Sequence, residues 1–430
     1  MTSDAPPRGR FRRLYKKYNF TLWVLVFVAV SMLYPAAFRV WFGTDLKVLI
    51  VPLIQIITFG VGTTLSARDF KNVLAMPWPV LIGVGLQFTI MPFVGYGIAM
   101  TFGFPAEVAA GIILIGSVSS GVASNVMTYL AGGNVPLSVT ITSATTLISP
   151  FVTPFWMKTL AGRLIPVDFT AMMLSIFNMI IIPIFAGLIA HWLLYSPKPS
   201  RDEPSARHSP ADNDGRVRRK QIPGPSPGLQ PPWGGRKAFW ALTGVSFLAF
   251  AVGVFHIPAR FWGALIVLKG GLALGFILLG LTILAKLVIA VWLKGPERWM
   301  DKALPLISMA AICLIIAVIT AQSRDQLLTV GPLLILAAVI HNGAGYGLGY
   351  WGARLARLDE AACRAVAMEV GMQNGGMASG LAIDVLKSTN AALAPAIFGP
   401  WMNVSGSLLA GWWRRRPPAP AKSVPVEDKR

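Results

Sequence analysis

Long apolar stretches recur along nearly the whole chain, and each approaches the length at which an α-helix crosses a hydrocarbon layer of about 30 Å, roughly 20 residues. Twelve of them lie near residues 18–38, 47–65, 78–102, 107–130, 134–158, 168–194, 238–256, 272–293, 303–321, 328–351, 364–386 and 391–413. A chain patterned in this way is expected to be an all-α, multi-pass membrane protein. The overall balance agrees: 54% of the 430 residues are hydrophobic and only 13% are charged, far to the apolar side of soluble domains.

The formal net charge is +20, which in a soluble chain would raise nucleic acid as a partner. Here the basic residues sit beside the apolar stretches and read as topology signals. They cluster in RGRFRRLYKK before the first stretch and at Arg216, Arg218, Arg219 and Lys220 after the sixth. Further clusters are Lys294, Arg298 and Lys302 after the eighth, Arg354, Arg357 and Arg364 after the tenth, and Arg414, Arg415 and Arg416 after the last. Each follows an even number of stretches. Both termini are therefore expected on the cytoplasmic side of a plasma (inner) membrane, with the lipid bilayer as surroundings and no nucleic acid partner.

Only two cysteines occur, Cys313 within an apolar stretch and Cys363 beside one, so neither a disulfide framework nor a metal-ligand cluster is expected. The first apolar stretch is too long for a signal peptide and leads into others, so it is expected to be retained. Between 196 and 237 the pattern is broken by a segment rich in Pro, Gly, Ser and charge, which reads as a disordered cytoplasmic linker.

Two short motifs match across this break: VGYGIA at 94–99 and AGYGLG at 344–349. From Gly95 to Asn125 is 30 residues and from Gly345 to Asn374 is 29, and the asparagines stand as SN and QN in Gly-rich stretches. On the expected topology the two units run in opposite directions, which is an inverted repeat. Proteins built this way bind cargo near the midplane, where related helices are interrupted and offer carbonyls and helix ends to ions. GSVSSGVASN at 116–125 and EVGMQNGGMASG at 369–380 are the candidate interruptions.

Glu369 is the residue least at home in its surroundings, because an acid at membrane depth costs about 2.5 kcal/mol or more and by default serves a function. The bland alternative places it near enough to the cytoplasmic end of its stretch to reach water. Gln373, four residues on, shares its helical face, and Asn374 is adjacent. Ser138 and Thr142 form a second pair of this spacing, and Ser124 with Asn125 supplies neighbouring oxygens. Taken singly, Ser138 and Thr142 read as helix-packing hydroxyls. Together the set offers hard oxygen ligands suited to a cation such as sodium, and there is no His or Cys cluster to suggest a transition metal.

The segments SNVMTYLAGGNVPLSVTITSATTLISPFVTP (124–154), HNGAGYGLGY (341–350), AMEVGMQNGGMASGLA (367–382) and WMNVSGSLLA (401–410) resemble the bile acid:sodium symporter family. The likeness covers roughly 18–194 and 300–413. It implies two inverted five-helix repeats, a panel and a core domain with crossing discontinuous helices, and sodium-coupled uptake of a small organic anion. Carried over by motif, a first sodium site falls on Ser124, Asn125, Ser138, Thr142 and Glu369. A second falls on Gln87, Glu369, Gln373 and the backbone carbonyls of Val370 and Met372. Val122, Ala123, Asn374, Met402 and Asn403 match positions facing the cargo. Two departures, Val122 at a usually polar position and Met402 in place of a common His, make that cavity less polar. The implied organisation is a basic tail (1–17), a first repeat plus the first helix of the second (18–194), an insertion (196–299) of linker and two additional membrane helices, the rest of the second repeat (300–413) and a tail (414–430). Lys286, in the second added helix, reads as a side chain snorkelling to the cytoplasmic surface.

The expectation is thus a sodium-coupled secondary transporter with no cofactor, sodium being the coupling ligand. One rival is proton coupling, since desolvation could make Glu369 a proton carrier. Another is a membrane protein that binds without transporting. An enzyme is not expected, because no stretch pairs a nucleophile with a His base and His341 has no acid nearby.

Overall fold

The computed structural model describes residues 22–65, 76–195, 237–293 and 299–416. The basic tail at 1–17, the expected linker up to residue 236, Lys294, Arg298 and residues 417–430 lie outside them. Among the described residues every regular element is helical except a small hairpin pairing β1 (Val40–Trp41) with β2 (Thr44–Asp45). The helices in chain order are α1 (Leu22–Leu33), α2 (Ile50–Gly62), α3 (Pro77–Thr101), α4 (Ala106–Ser117), α5 (Ala123–Leu130), α6 (Val135–Trp156), α7 (Phe169–Ile176) and α8 (Ile182–Tyr195). After the break come α9 (Lys237–His256), α10 (Leu268–Leu287), α11 (Met300–Gln322), α12 (Arg324–Leu355), α13 (Glu360–Gly371), α14 (Gly375–Asp384) and α15 (Thr389–Arg414). Five helical segments, Pro77–Thr101, Val135–Ala161, Phe169–Leu193, Leu265–Leu287 and Arg324–Leu355, are long and apolar enough to cross a membrane. Shorter apolar helices accompany them, among them Leu46–Gly62, Ala106–Ser117 and Leu306–Gln322.

Polar residues placed between the apolar runs decide where helices start. Asn134, Asp168, Asp359, Asn374 and Ser388 each stand at an N-cap and accept a backbone N–H three residues on, at 2.7–3.1 Å. Each satisfies a donor that the first helical turn leaves open, a contribution of about 1 kcal/mol.

The helices pack in two groups. One contains α3 to α6 and α12 to α15; the other contains α2, α7, α8 and α11, with the α9–α10 hairpin lying against α2 and α8. Glycines set the closest approaches. A Cβ on Gly62 would overlap the Ile184 carbonyl, and one on Gly187 would overlap that of Phe59, so α2 and α8 cross with their backbones touching. The two GYG motifs also have a packing reason. A Cβ on Gly95 would stand 2.8 Å from the Ile112 carbonyl of α4, and one on Gly345 would stand 2.8 Å from Gly371 Cα of α13.

Between α7 and α8 runs a π-helical turn, Phe177–Ile181. Such a turn leaves carbonyls outside the regular ladder, and α2 supplies donors for them: Gln55 Nε2 to Asn178 O at 3.0 Å and Thr58 Oγ1 to Met179 O at 2.9 Å. The Asn178 side chain accepts the Gly271 N–H of α10 at 2.6 Å, pinning the added hairpin to this turn. Phe59, Ala190, Leu279, Ile283 and Met300 form the apolar contact around it. Lys286 is 5% exposed, buried within the protein instead of reaching out to its surface.

Arg364 differs from the other basic residues of its cluster. It is 4% exposed, and its guanidinium donates to the Ala131 carbonyl at 2.8 Å, the Arg416 carbonyl at 2.7 Å and Glu360 Oε1 at 2.8 Å. It therefore caps the carbonyl ends of α5 and α15 from the second turn of α13, and its charge complements both helix dipoles there. Tyr350 completes the cluster with a hydroxyl donated to Glu360 Oε2 at 2.7 Å.

The backbone contact between α2 and α8 makes a direct prediction. Gly187→Ala should destabilise the folded protein by about 1–3 kcal/mol, because the helices must separate to admit the methyl. Gly347→Ala, at a helical position with nothing within 4 Å, should be neutral or slightly stabilising. Thermal unfolding in one detergent compares the two.

Candidate functional site at two crossing helix breaks

Two helices are interrupted inside the protein. The chain leaves helical geometry between α4 and α5 over residues 118–122 and between α13 and α14 over 372–374. A buried break is costly, because it strands carbonyls and N–H groups away from water. Here the two breaks lie against each other and share their hydrogen bonds. The Gly121 N–H donates to the Met372 carbonyl at 2.8 Å, and the Asn374 N–H donates to the Ser119 carbonyl at 2.9 Å. Ser120 and Gln373 face one another as an antiparallel bridge. Gly121 cannot carry a side chain, since a Cβ would stand 2.7 Å from the Gln373 carbonyl.

Glu369 sits in the last turn of α13, just before its break, and is fully buried, so the reading that placed it within reach of water is set aside. Its Oε1 accepts the hydroxyls of Ser124 and Ser138, each at 2.5 Å, and its Oε2 accepts that of Thr142 at 2.7 Å. Asn125 Oδ1 lies 2.8 Å from Ser138 Oγ and 3.3 Å from Thr142 Oγ1. Ser124, Asn125, Ser138, Thr142 and Glu369 are thus one cluster, formed by α5, α6 and α13. No ion pair among the described residues involves Glu369.

A second cluster lies across the crossing. Gln87 of α3 donates Nε2 to the Val118 carbonyl at 3.0 Å and also to Gln373 Oε1. Gln373 Nε2 in turn reaches the Val370 carbonyl at 2.5 Å. Gln87 Oε1 is buried and has no hydrogen-bond partner among the described residues. Gln87, Gln373 and the Val370 carbonyl therefore come together as expected, with the Met372 carbonyl held by Gly121. No hydrogen bond links the Glu369 carboxylate to Gln87 or Gln373. Among the described residues no group of three or more His, Cys, Asp or Glu side chains comes together.

Beside the crossing is a cavity of about 400 Å³. Its wall from the α2, α8 and α11 side is mostly apolar, with Ile54, Ile57 and Val61, then Ile184 and Phe185, then Ile312, Ile315 and Ile316, alongside Thr58 and Thr64. The opposite wall carries Val122, Ala123, Asn125, Gln373, Asn374, Met402 and Asn403, so all five positions expected to face cargo do line it. Among the described residues no charged side chain lines it. The cavity runs along α2 from Ile54 to Thr64 and Leu65, where Thr64 is exposed. Beyond Ile54 the two helix groups meet closely. A Cβ on Gly380 would stand 2.6 Å from Ile54 Cδ1 and 2.8 Å from Met179 Sδ, and Ser175 Oγ donates to Asp384 Oδ2 at 2.5 Å.

Some members of the site were not singled out from sequence. Thr128 Oγ1 lies 3.1 Å from Ser138 Oγ, Ser120 and Thr145 hydroxyls meet at 3.0 Å, and Asn342 of α12 donates to the Gly371 carbonyl. Thr145 continues the spacing of Ser138 and Thr142 along one face of α6, a signal present in the sequence. Asn342 carries none, because its partner is a carbonyl exposed only by the break.

Long apolar helices enclosing a cavity beside two interrupted helices describe a membrane transporter. The chain belongs to the sodium bile acid symporter family, whose model matches residues 51–198. It is 32% identical over 398 residues, 93% of this chain and 91% of the relative, to YocS of Bacillus subtilis (strain 168), an uncharacterized sodium-dependent transporter. It is 25% identical over 410 residues, 95% of this chain and 72% of the relative, to BASS2 of Oryza sativa subsp. japonica, a probable chloroplastic sodium/metabolite cotransporter. BASS1 of Arabidopsis thaliana, named likewise, is 23% identical over 399 residues, 93% of this chain and 74% of its own length.

The hydroxyl cage around Glu369 predicts a difference between two buried threonines of α6. Thr142→Val removes a donor to a buried carboxyl group and should cost about 1–3 kcal/mol. Thr140, whose hydroxyl bonds only the Pro136 carbonyl of its own helix, should tolerate Val with a change of about 0.5 kcal/mol or less. Denaturation in sodium-free buffer separates the two.

Proposed function

We propose that the protein is a symporter that couples sodium to the uptake of a small organic anion. The observation that carries this is Glu369: a fully buried carboxylate with no basic partner, ringed by neutral oxygens. Such a charge is tolerated only if it is protonated or meets a cation. Hydroxyls and amide oxygens in this number are what a dehydrated sodium ion requires, and a proton carrier needs few of them.

In this reading the first sodium lies among Ser124, Asn125, Ser138, Thr142 and Glu369. The second lies by Gln87, Gln373 and the Val370 and Met372 carbonyls, with Glu369 as the shared counter-charge. The unpartnered Gln87 Oε1 supports a cation there, since it is a buried acceptor still lacking a partner. Two sodium ions against one carboxylate leave one positive charge in excess, which an anionic cargo in the adjoining cavity balances. Among the described residues the cavity has no basic side chain, and the anion is assigned to the N-terminal ends of α5 and α14, near Val122, Ala123 and Asn374, where the helix dipoles favour negative charge. Met402 and Asn403 complete its surroundings, and the isoleucine wall takes the apolar part of the cargo.

The two interrupted helices, each packed under a glycine of a GYG motif, are read as equivalent parts of two inverted repeats. The group containing α2, α7, α8 and α11 serves as panel and the other as core, with the insertion at 196–299 attached peripherally to the panel. The basic clusters support a reading with both termini in the cytoplasm. The cavity mouth at Thr64 and Leu65 then faces inward, and the Ser175–Asp384 contact closes the outer side. Alternating access follows from sliding one group past the other, which would part that contact and cover the mouth.

Sodium titration by calorimetry tests the reading. Wild type should bind sodium and gain thermal stability from it by mass action. Glu369→Gln, which keeps shape but loses charge, should fold and lose that response, whereas Gln373→Ala should weaken binding by about tenfold, the loss of one neutral ligand at about 1.4 kcal/mol. Sodium binding of wild-type strength in Glu369→Gln would refute the assignment. Uptake into vesicles driven by a pH gradient, without a sodium gradient, would favour the proton-coupled alternative.

A further inference from the structure

A further buried polar network lies behind the break after α13, its side chains on residues that do not line the cavity. Asn342 of α12 is 1% exposed. Its Nδ2 donates to the Gly371 carbonyl, and its Oδ1 accepts the hydroxyl of Ser405 on α15. Tyr346, one turn along α12, donates its own hydroxyl to the Met402 carbonyl at 3.3 Å and stands 3.2 Å from Ser405 Oγ. The Tyr346 ring fills the place that a Cβ on Gly371 would need.

The break after α13 releases three successive carbonyls, and each has its own donor. Val370 O takes Gln373 Nε2, Met372 O takes the Gly121 N–H, and Gly371 O takes Asn342. The outer two are proposed sodium ligands. The middle one is held from the opposite direction by a side chain that is itself held by α15. Two residues of that helix, Met402 and Asn403, line the cavity.

We propose that Asn342, oriented by Ser405, is a positioning residue that couples the sodium site to the cargo cavity. It fixes the Gly371 peptide, and with it the direction of the Val370 and Met372 carbonyls, according to where α15 stands. It touches neither sodium nor cargo, and its role rests on the sodium sites proposed above. Partners of this kind, one step removed from a metal ion, set the orientation of its ligands, and their loss costs about 10–100-fold in affinity.

Sodium calorimetry and sodium-free melting on the full chain test this in wild type, Glu369→Gln, Asn342→Ala, Ser405→Ala and Ser405→Thr. Asn342→Ala should lose about 10-fold or more in sodium affinity. Ser405→Ala should shift in the same direction by less, and Ser405→Thr, which keeps the hydroxyl, should restore binding. If Asn342→Ala does not fold, the Ser405 pair decides by the same comparison. In a parallel arm, maleimide labelling of Asn403→Cys should respond to sodium, and adding Asn342→Ala should abolish the response. A structural role alone would lower the sodium-free melting temperature and leave sodium affinity intact. That result, together with loss of binding in Glu369→Gln, would overturn the proposal while the sodium site stands. Absence of sodium binding in wild type would remove both.

Discussion

The whole arrangement depends on two interrupted helices satisfying each other's backbones. A single break in this apolar interior would leave stranded N–H and carbonyl groups, each costing about 1–3 kcal/mol. Two breaks set antiparallel share two hydrogen bonds, and what remains open is directed at amide and hydroxyl side chains. The glycine at 121 follows from this, because the strands approach too closely for a Cβ. So does the position of Glu369, which reaches the α5 and α6 hydroxyls only because α13 ends where α5 begins.

The hydroxyls around Glu369 have a property that fixed donors lack. A Ser or Thr hydroxyl can turn its hydrogen toward a carboxylate or turn its lone pairs toward a cation, at little cost beyond rotation. Ser124, Ser138 and Thr142 can therefore satisfy the carboxylate in one state and coordinate in another without moving the backbone. Arginine or lysine at these positions would neutralise Glu369 permanently and leave nothing for an ion to do.

Much of this could be read from the sequence because bilayer-length apolar runs and capping residues are local signals. The helices follow the apolar stretches closely, and the spacing of Ser138 and Thr142 already placed them on one face of α6, whereas Gln373 lies in the break beyond α13 and not on the helical face of Glu369. Gln87 is different: nothing in GVGLQFTIMPF marks it, and only the family resemblance pointed there. Asn342 and the π-helical turn at 177–181 were not legible, since each answers a backbone group that only the three-dimensional packing exposes. Arg364 was read only as part of a topology cluster, and its capping role was not legible because its partners include carbonyls at the ends of α5 and α15, which carry no side-chain signature. Lys286 was misjudged for a related reason, its burial being set by the packing of the α9–α10 hairpin and not by its distance from the end of the span.

The apolar wall of the cavity has a consequence for discrimination. Eight isoleucines line it, Ile54, Ile57, Ile180, Ile181, Ile184, Ile312, Ile315 and Ile316, and a surface of branched hydrocarbon offers contact without direction. Each methylene that fits against it is worth about 1–3 kcal/mol, and such a surface cannot strongly reject a molecule of the same shape bearing one extra hydroxyl. It can rank a homologous series by length but cannot read a pattern of polar groups. Most of the amide groups that could discriminate functional groups stand on the opposite face, at Asn125, Gln373, Asn374 and Asn403. A molecule would thus be recognised at its head and merely measured along its tail.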